Sequence, residues 1–121
     1  MITEGMVEKA RELGRLIGQA EEYKALERAR VRFAEDRDAV ARVNKLAQLE
    51  SEIGQALQRN EEPSETMRDE YERAFNELQG NATYQAMVAA QSNFDRVLTK
   101  VNEEISKGVE TGAASRIILP S

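Results

Sequence analysis

The sequence predicts an all-α protein, an elongated antiparallel helical bundle of about five helices, two of them long. Three observations carry this. Between Tyr84 and Lys107 the large residues fall at Tyr84, Met87, Phe94, Leu98, Val101 and Ile105, interrupted at Gln91. The steps alternate three and four, the seam of a helix packed lengthwise against others. The composition, 40% hydrophobic, 32% charged and only 5% aromatic over 121 residues, suits amphipathic helices around a thin core. Finally, the strong punctuation at Pro63 and Gly80-Asn81 divides helical patterns, with no convincing strand between them.

A first helix is expected over roughly Thr3 to Leu16, with Met6, Ala10, Leu13 and Ile17 on one face. Thr3 and Glu4 suit its positive end, and Gly18 marks its stop. A second runs from about Glu21 to Ala34, its buried stripe formed by Tyr23, Leu26, Ala29 and Phe33. Asp36 or Asp38 caps a third, long helix to about Arg59, either after a bend near Glu35 or as a continuation of the second. Its inner face reads Val40, Val43, Leu46 or Ala47, Leu49, Ile53 and Leu57, with Glu50 at a central seam position.

Pro63 disfavours helical geometry in the residue before it, so the third helix ends ahead of Asn60-Glu61-Glu62-Pro63. Ser64 or Glu65 opens a fourth helix with Met67, Tyr71, Ala74, Phe75 and Leu78 on one side. Gly80-Asn81 is expected to end it in left-handed geometry. Asn81 or Thr83 then caps the long fifth helix, Tyr84 to Lys107, which at 1.5 Å per residue is ~36 Å long. Residues 1–107 thus read as one helical domain. Residues 108–121 read as a flexible C-terminal tail ending in an apolar cluster, Ile117 to Leu119.

Composition excludes much chemistry. The chain has no His and no Cys, so thiolate catalysis, disulfides and most metal sites lack their usual ligands. Di-iron bundles need Glu-x-x-His pairs. Asp36-Arg37-Asp38 starts like a calcium loop, but the glycine at position six and the closing glutamate are missing. A carboxylate acting as general acid needs burial to raise its pKa, whereas most carboxylates here lie opposite the apolar stripes. No enzyme activity, cofactor or metal is expected. No span approaches the ~20 apolar residues of a membrane helix, and the charged N-terminal stretch does not read as a signal peptide. Cytoplasm is the expected location, where the Asn81-Ala82-Thr83 sequon would be inert.

The net charge of −5 opposes direct binding to polyanions. Locally, Lys24, Arg28 and Arg32 repeat every four residues, with Arg30 nearby, and give the second helix a basic stripe. That stripe supports an alternative reading as a nucleic-acid-associated protein. The fourth helix and its approach are acidic, including Glu65, Asp69 and Glu72. Opposite signs on different helices of one chain favour pairing between copies, where complementary charge steers contact. Glu50 and Gln91 either fix register as buried polar groups in a seam or face solvent at a crossing.

With these elements in order, the stretch ARELGRLIGQAEEYKALERARVRFAEDRDA resembles the start of the YlbF/YmcA family of small bacterial helical proteins. The matching positions are Leu13, Gly14, Ile17, Glu22, Tyr23, Leu26, Ala29, Phe33, Asp36 and Ala39. Leu78, Asn81, Tyr84, Leu98, Val101 and Ile105 correspond to that family's last helix. The resemblance covers about residues 5 to 107 and consists of packing residues. It implies an all-α fold, usually dimeric, acting as a non-catalytic regulatory or scaffolding subunit. Some members form a complex that influences an endoribonuclease and, through it, development. Certain members bind iron–sulfur clusters through Cys, a property this Cys-free chain cannot share.

The expected role is therefore a helical interaction protein, a homodimer that presents its faces to a larger protein partner. The residues expected to carry association are Leu46, Leu49, Ile53 and Leu57 on the third helix and Phe94, Leu98, Val101 and Ile105 on the fifth. The charged faces of Lys24, Arg28 and Arg32 and of Glu65, Asp69 and Glu72 would orient it. Sequence does not divide these apolar residues between intrachain core and subunit interface.

Overall fold

The computed structural model describes the backbone of residues 1–118 and the side chains of residues 1–114. It is all-α: α1 (Glu4–Gly18), α2 (Glu21–Glu35), α3 (Arg37–Gln58), α4 (Glu65–Gln79) and α5 (Ala82–Ile118), with no strand among the described residues. The two long helices expected from sequence are α3, with 22 residues, and α5, with 37.

Four of the five helix starts are set by a side-chain oxygen that accepts an otherwise orphaned helix N–H, whereas at α2 the backbone carbonyl of Ala20 accepts from Tyr23 N and Lys24 N. Thr3 accepts from Met6 N at 3.2 Å, Asp36 from Ala39 N at 3.1 Å and Ser64 from Met67 N at 3.1 Å. Asn81 Oδ1 accepts from Tyr84 N at 2.9 Å and opens α5. Asp36 also answers how α2 gives way to α3. Its extended backbone (φ −87°, ψ 94°) breaks the helical path for one residue, and its carboxylate caps α3.

The helix ends differ from the expectation for glycine. Gly80 is right-handed at φ −82°, and no glycine takes a positive φ among the described residues. The left-handed residue is Asn60, at φ 58°. Asn60 N donates to Leu57 O at 3.0 Å and Glu61 N donates to Ala56 O at 2.9 Å, the paired bonds of a Schellman stop. Asn serves because its short polar side chain tolerates this conformation. The fifth helix does not stop at Lys107 but continues through Gly108 and Gly112 to Ile118. A helical glycine costs only about 1 kcal/mol relative to Ala, which weakens a helix without forcing it to end. The side chains of the Ile117–Leu119 cluster lie outside the described residues.

The chain divides into two compact units: a central unit, Leu26–Ala89, and a terminal unit, Met1–Ala25 with Ala90–Ser121. The central unit holds the α3–α4 hairpin. Arg42 Nη1 donates to Glu77 Oε2 at 2.7 Å, and Tyr71 Oη donates to Glu50 Oε1 at 3.3 Å. Partner numbers on α4 fall as those on α3 rise, so the pair is antiparallel. Its core is Leu26, Ala39, Leu49, Ala56, Ala74 and Leu78. Three of these six are alanines on α3 and α4, which let the two backbones approach closely. Phe33 and Tyr84 add a tilted ring contact, centroids 6.5 Å apart. In the terminal unit Tyr23 and Phe94 make a similar contact at 5.4 Å, but no described residue there is buried.

On α1, Met6 of the expected face is 57% exposed, and two residues assigned to the faces of α3 and α4 lie elsewhere: Leu57 is 58% exposed and Phe75 is 41% exposed. Leu57 and Phe75 each come directly after a buried alanine, Ala56 or Ala74. One residue along a helix turns the side chain by about 100°, so each is carried off the inward direction that the alanine occupies.

Replacing Asn60 by Val should destabilise the protein by about 1–2 kcal/mol, because a β-branched residue cannot relieve the left-handed strain, whereas Asn60→Gly should be neutral or stabilising. Urea unfolding midpoints check this. A second expectation concerns Asp36, whose carboxyl lies below the usual carboxylate range because the Thr83 side chain and the Ala39 N–H stabilise the charged form. A carboxyl depressed in the folded state contributes stability that is complete above its unfolded pKa of about 3.9 and fades as pH falls through the lower folded value. Asp36→Asn should therefore flatten the acid limb of stability below about pH 4, read by thermal melts across pH.

Candidate interaction surface

The local charge pairs of this protein are structural. Glu50, read in sequence as a polar interruption of the α3 seam, is exposed and bonded to Tyr71 across the hairpin. Desolvation, and next the Glu50 charge, push the Tyr71 phenol above its ordinary value. Arg42 bridges Asp38 at 2.9 Å and Glu77 at 2.7 Å, and these carboxylates raise its pKa further. Both contacts pin the register of α3 on α4 from the rim. Gln91 is half-buried and donates to Asp95 at 2.9 Å. No charged or polar residue is buried among the described residues, and no group of three or more carboxylates there could hold a metal.

The eight apolar candidates separate by burial. Leu49 is 5% exposed and belongs to the central core, while Leu46 and Ile53 on the same helix are half-buried and Leu57 faces solvent. On α5, Phe94, Leu98 and Val101 are half-buried and Ile105 is 49% exposed. Leu13 of α1 joins Val101 and Ile105 in lining an open apolar groove of about 400 Å³, edged by Lys100 and Glu104. The terminal unit thus carries an uncovered seam.

The charged candidates are all exposed. Lys24 lies 3.8 Å from Glu21 on its own helix, so part of the basic stripe is neutralised locally. Over Glu21–Glu35 the bases Lys24, Arg28, Arg30 and Arg32 are matched by Glu21, Glu22, Glu27 and Glu35, which leaves α2 without net charge. Glu65, Asp69 and Glu72 line one outward face of α4, separated by four and three residues.

Further exposed apolar residues escape the sequence reading: Leu16, Val31, Val88 and Val109. Val109 has a usable signal, since it stands four residues after Ile105, but an expected helix end at Lys107 hides it. Leu16 and Val31 lie off the dominant stripes of α1 and α2, and no periodicity distinguishes them from ordinary surface residues.

Five helices, a thin core and exposed apolar faces define a small all-α protein. The sequence model of the YlbF/YmcA family, described as control of competence regulator ComK, matches residues 6–110. This chain belongs to that family, and a regulatory role follows from that description. Comparison with individually curated proteins finds no match. Among the described residues, no helix is long and apolar enough to cross a membrane.

The different burial of neighbouring leucines gives a direct check on which belong to the fold. Leu49→Ala should cost about 2–5 kcal/mol as a buried truncation. Leu57→Ala should stay within about 0.5 kcal/mol as a surface change. Denaturant titration of both variants measures the contrast.

Proposed function

We propose that this chain is a non-catalytic regulatory subunit, a cytoplasmic homodimer that docks on a larger protein. Its place, in line with the family resemblance, is in complexes that modulate an endoribonuclease and, through it, developmental regulation. The observation that carries the reading is an imbalance of apolar surface. Among the described residues ten large hydrophobic side chains are exposed, from Met6 and Leu16 to Phe75, Ile105 and Val109, against only six buried hydrophobic residues. Apolar faces of that extent are the material of protein interfaces. Leu46, Ile53 and Leu57 on α3, with Phe94, Leu98, Val101 and Ile105 on α5, supply affinity in this reading. Lys24, Arg28 and Arg32, with Glu65, Asp69 and Glu72, orient the approach.

A nucleic-acid role remains the second reading, because Arg28 and Arg32 are exposed and form no ion pair among the described residues. The zero net charge of α2 and the acidic chain oppose it, since counterion release needs a net basic face.

Light scattering over a concentration series should give twice the mass of one chain, and a persistent monomer would exclude the homodimer. Affinity isolation from the native cell should recover an endoribonuclease in fixed ratio, and deleting this chain should alter transcript processing. Unchanged processing would exclude the regulatory role. A mobility-shift titration in low salt should show no binding at micromolar protein. Binding that weakens steeply with salt would instead support the second reading.

A further inference from the structure

We infer that the terminal unit is the seam of the dimer, closed by the same face of a second copy, and that the central unit is free for other partners. The inference rests on the homodimer proposed above and says which surface forms it.

The central unit contains every buried hydrophobic residue of the described chain, so it completes a core from its own helices. The terminal unit contains none among the described residues, although α5 there presents Phe94, Leu98, Val101 and Ile105 on one face. Its own α1 leaves that face partly open, with Phe94, Leu98 and Val101 half-buried and Ile105 49% exposed. α1 has 15 residues, ~22 Å at 1.5 Å per residue, whereas α5 from Ala90 to Ile118 is nearly twice as long. Closing it takes a further helix with an apolar face, available whenever this chain folds. An identical α5 meets both conditions.

The rim and the far end agree with this occupant. Lys100 lies 3.3 Å from Glu104, and Lys107 lies 3.3 Å from the same carboxylate, so signs alternate along the groove edge. When two α5 helices run antiparallel about a two-fold axis, Lys100 of each copy meets Glu104 of the other. An alternating rim is complementary to itself, as an isologous interface demands. Beyond Ile105 the three-and-four spacing falls on Gly108 and Gly112, and nothing lies within 4 Å of a Cβ built at either position. Glycines on a helix seam leave room for a second backbone to approach closely, and the structure shows that room unfilled.

The test uses the full chain, and the natural absence of Cys provides a clean background for cross-linking. Val101→Cys, beside the two-fold axis in this register, should form a disulfide-linked dimer on mild oxidation at least tenfold faster than Phe75→Cys, placed on the central unit. Gly112→Leu should keep or raise helicity, because leucine is the better helix former, yet raise the dimer dissociation constant at least tenfold by crowding the flank of the seam. A wild-type monomer at all concentrations would overturn the homodimer and this inference together. A stable dimer in which Val101→Cys cross-links no faster than Phe75→Cys, and Gly112→Leu leaves the dissociation constant unchanged, would overturn the seam alone.

Discussion

Apolar ridges on helices must be removed from water, and in this chain they are removed unevenly. Burying a large aliphatic side chain gains about 1.5–3 kcal/mol, and domains of this size survive on a margin of about 5–15 kcal/mol. The central unit collects its gain where Ala39, Ala56 and Ala74 let α3 and α4 come close, so that Leu49 and Leu78 are enclosed. The terminal unit carries apolar ridges too, but no residue there is buried among the described residues. Its helices meet only through half-buried contacts such as Tyr23 with Phe94. The buried core is thus concentrated in one stretch of the chain, among the described residues.

Polar chemistry is shaped by that division. The core is thin, and no charged or polar residue is buried among the described residues. The groups with shifted pKa values, Asp36, Arg42 and Tyr71, each sit beside a specific neighbour that fixes a cap or a register. Arg42 with Glu77 and Tyr71 with Glu50 hold the hairpin in one alignment from its solvent edge. Such exposed pairs contribute little stability. Their value lies in excluding a one-turn slip, which would separate both pairs at once.

Much of the architecture is legible in the amino-acid order, because its determinants are local. Thr3, Asp36, Ser64 and Asn81 are strong capping residues, and each opens a helix where the pattern places one. The number of helices and the family resemblance are consequences of the same spacing. Legibility fails where two local signals compete. Gly108 carries the weight of a stop in sequence, although the helix continues through it. Gly80 is the residue type expected to turn left-handed, yet Asn60 makes that turn instead.

Sequence by itself determined the helices, their caps and the absence of His and Cys, because each depends on residue type and near neighbours. Tertiary structure alone decided which apolar residues face inward. Leu49 and Leu57 are chemically identical and share one helix, yet one is enclosed and the other lies in water. A ridge sets only the side of a helix that seeks cover. Which stretch of that ridge is covered depends on how closely and for what length another helix runs beside it, and that is a property of the assembled chain.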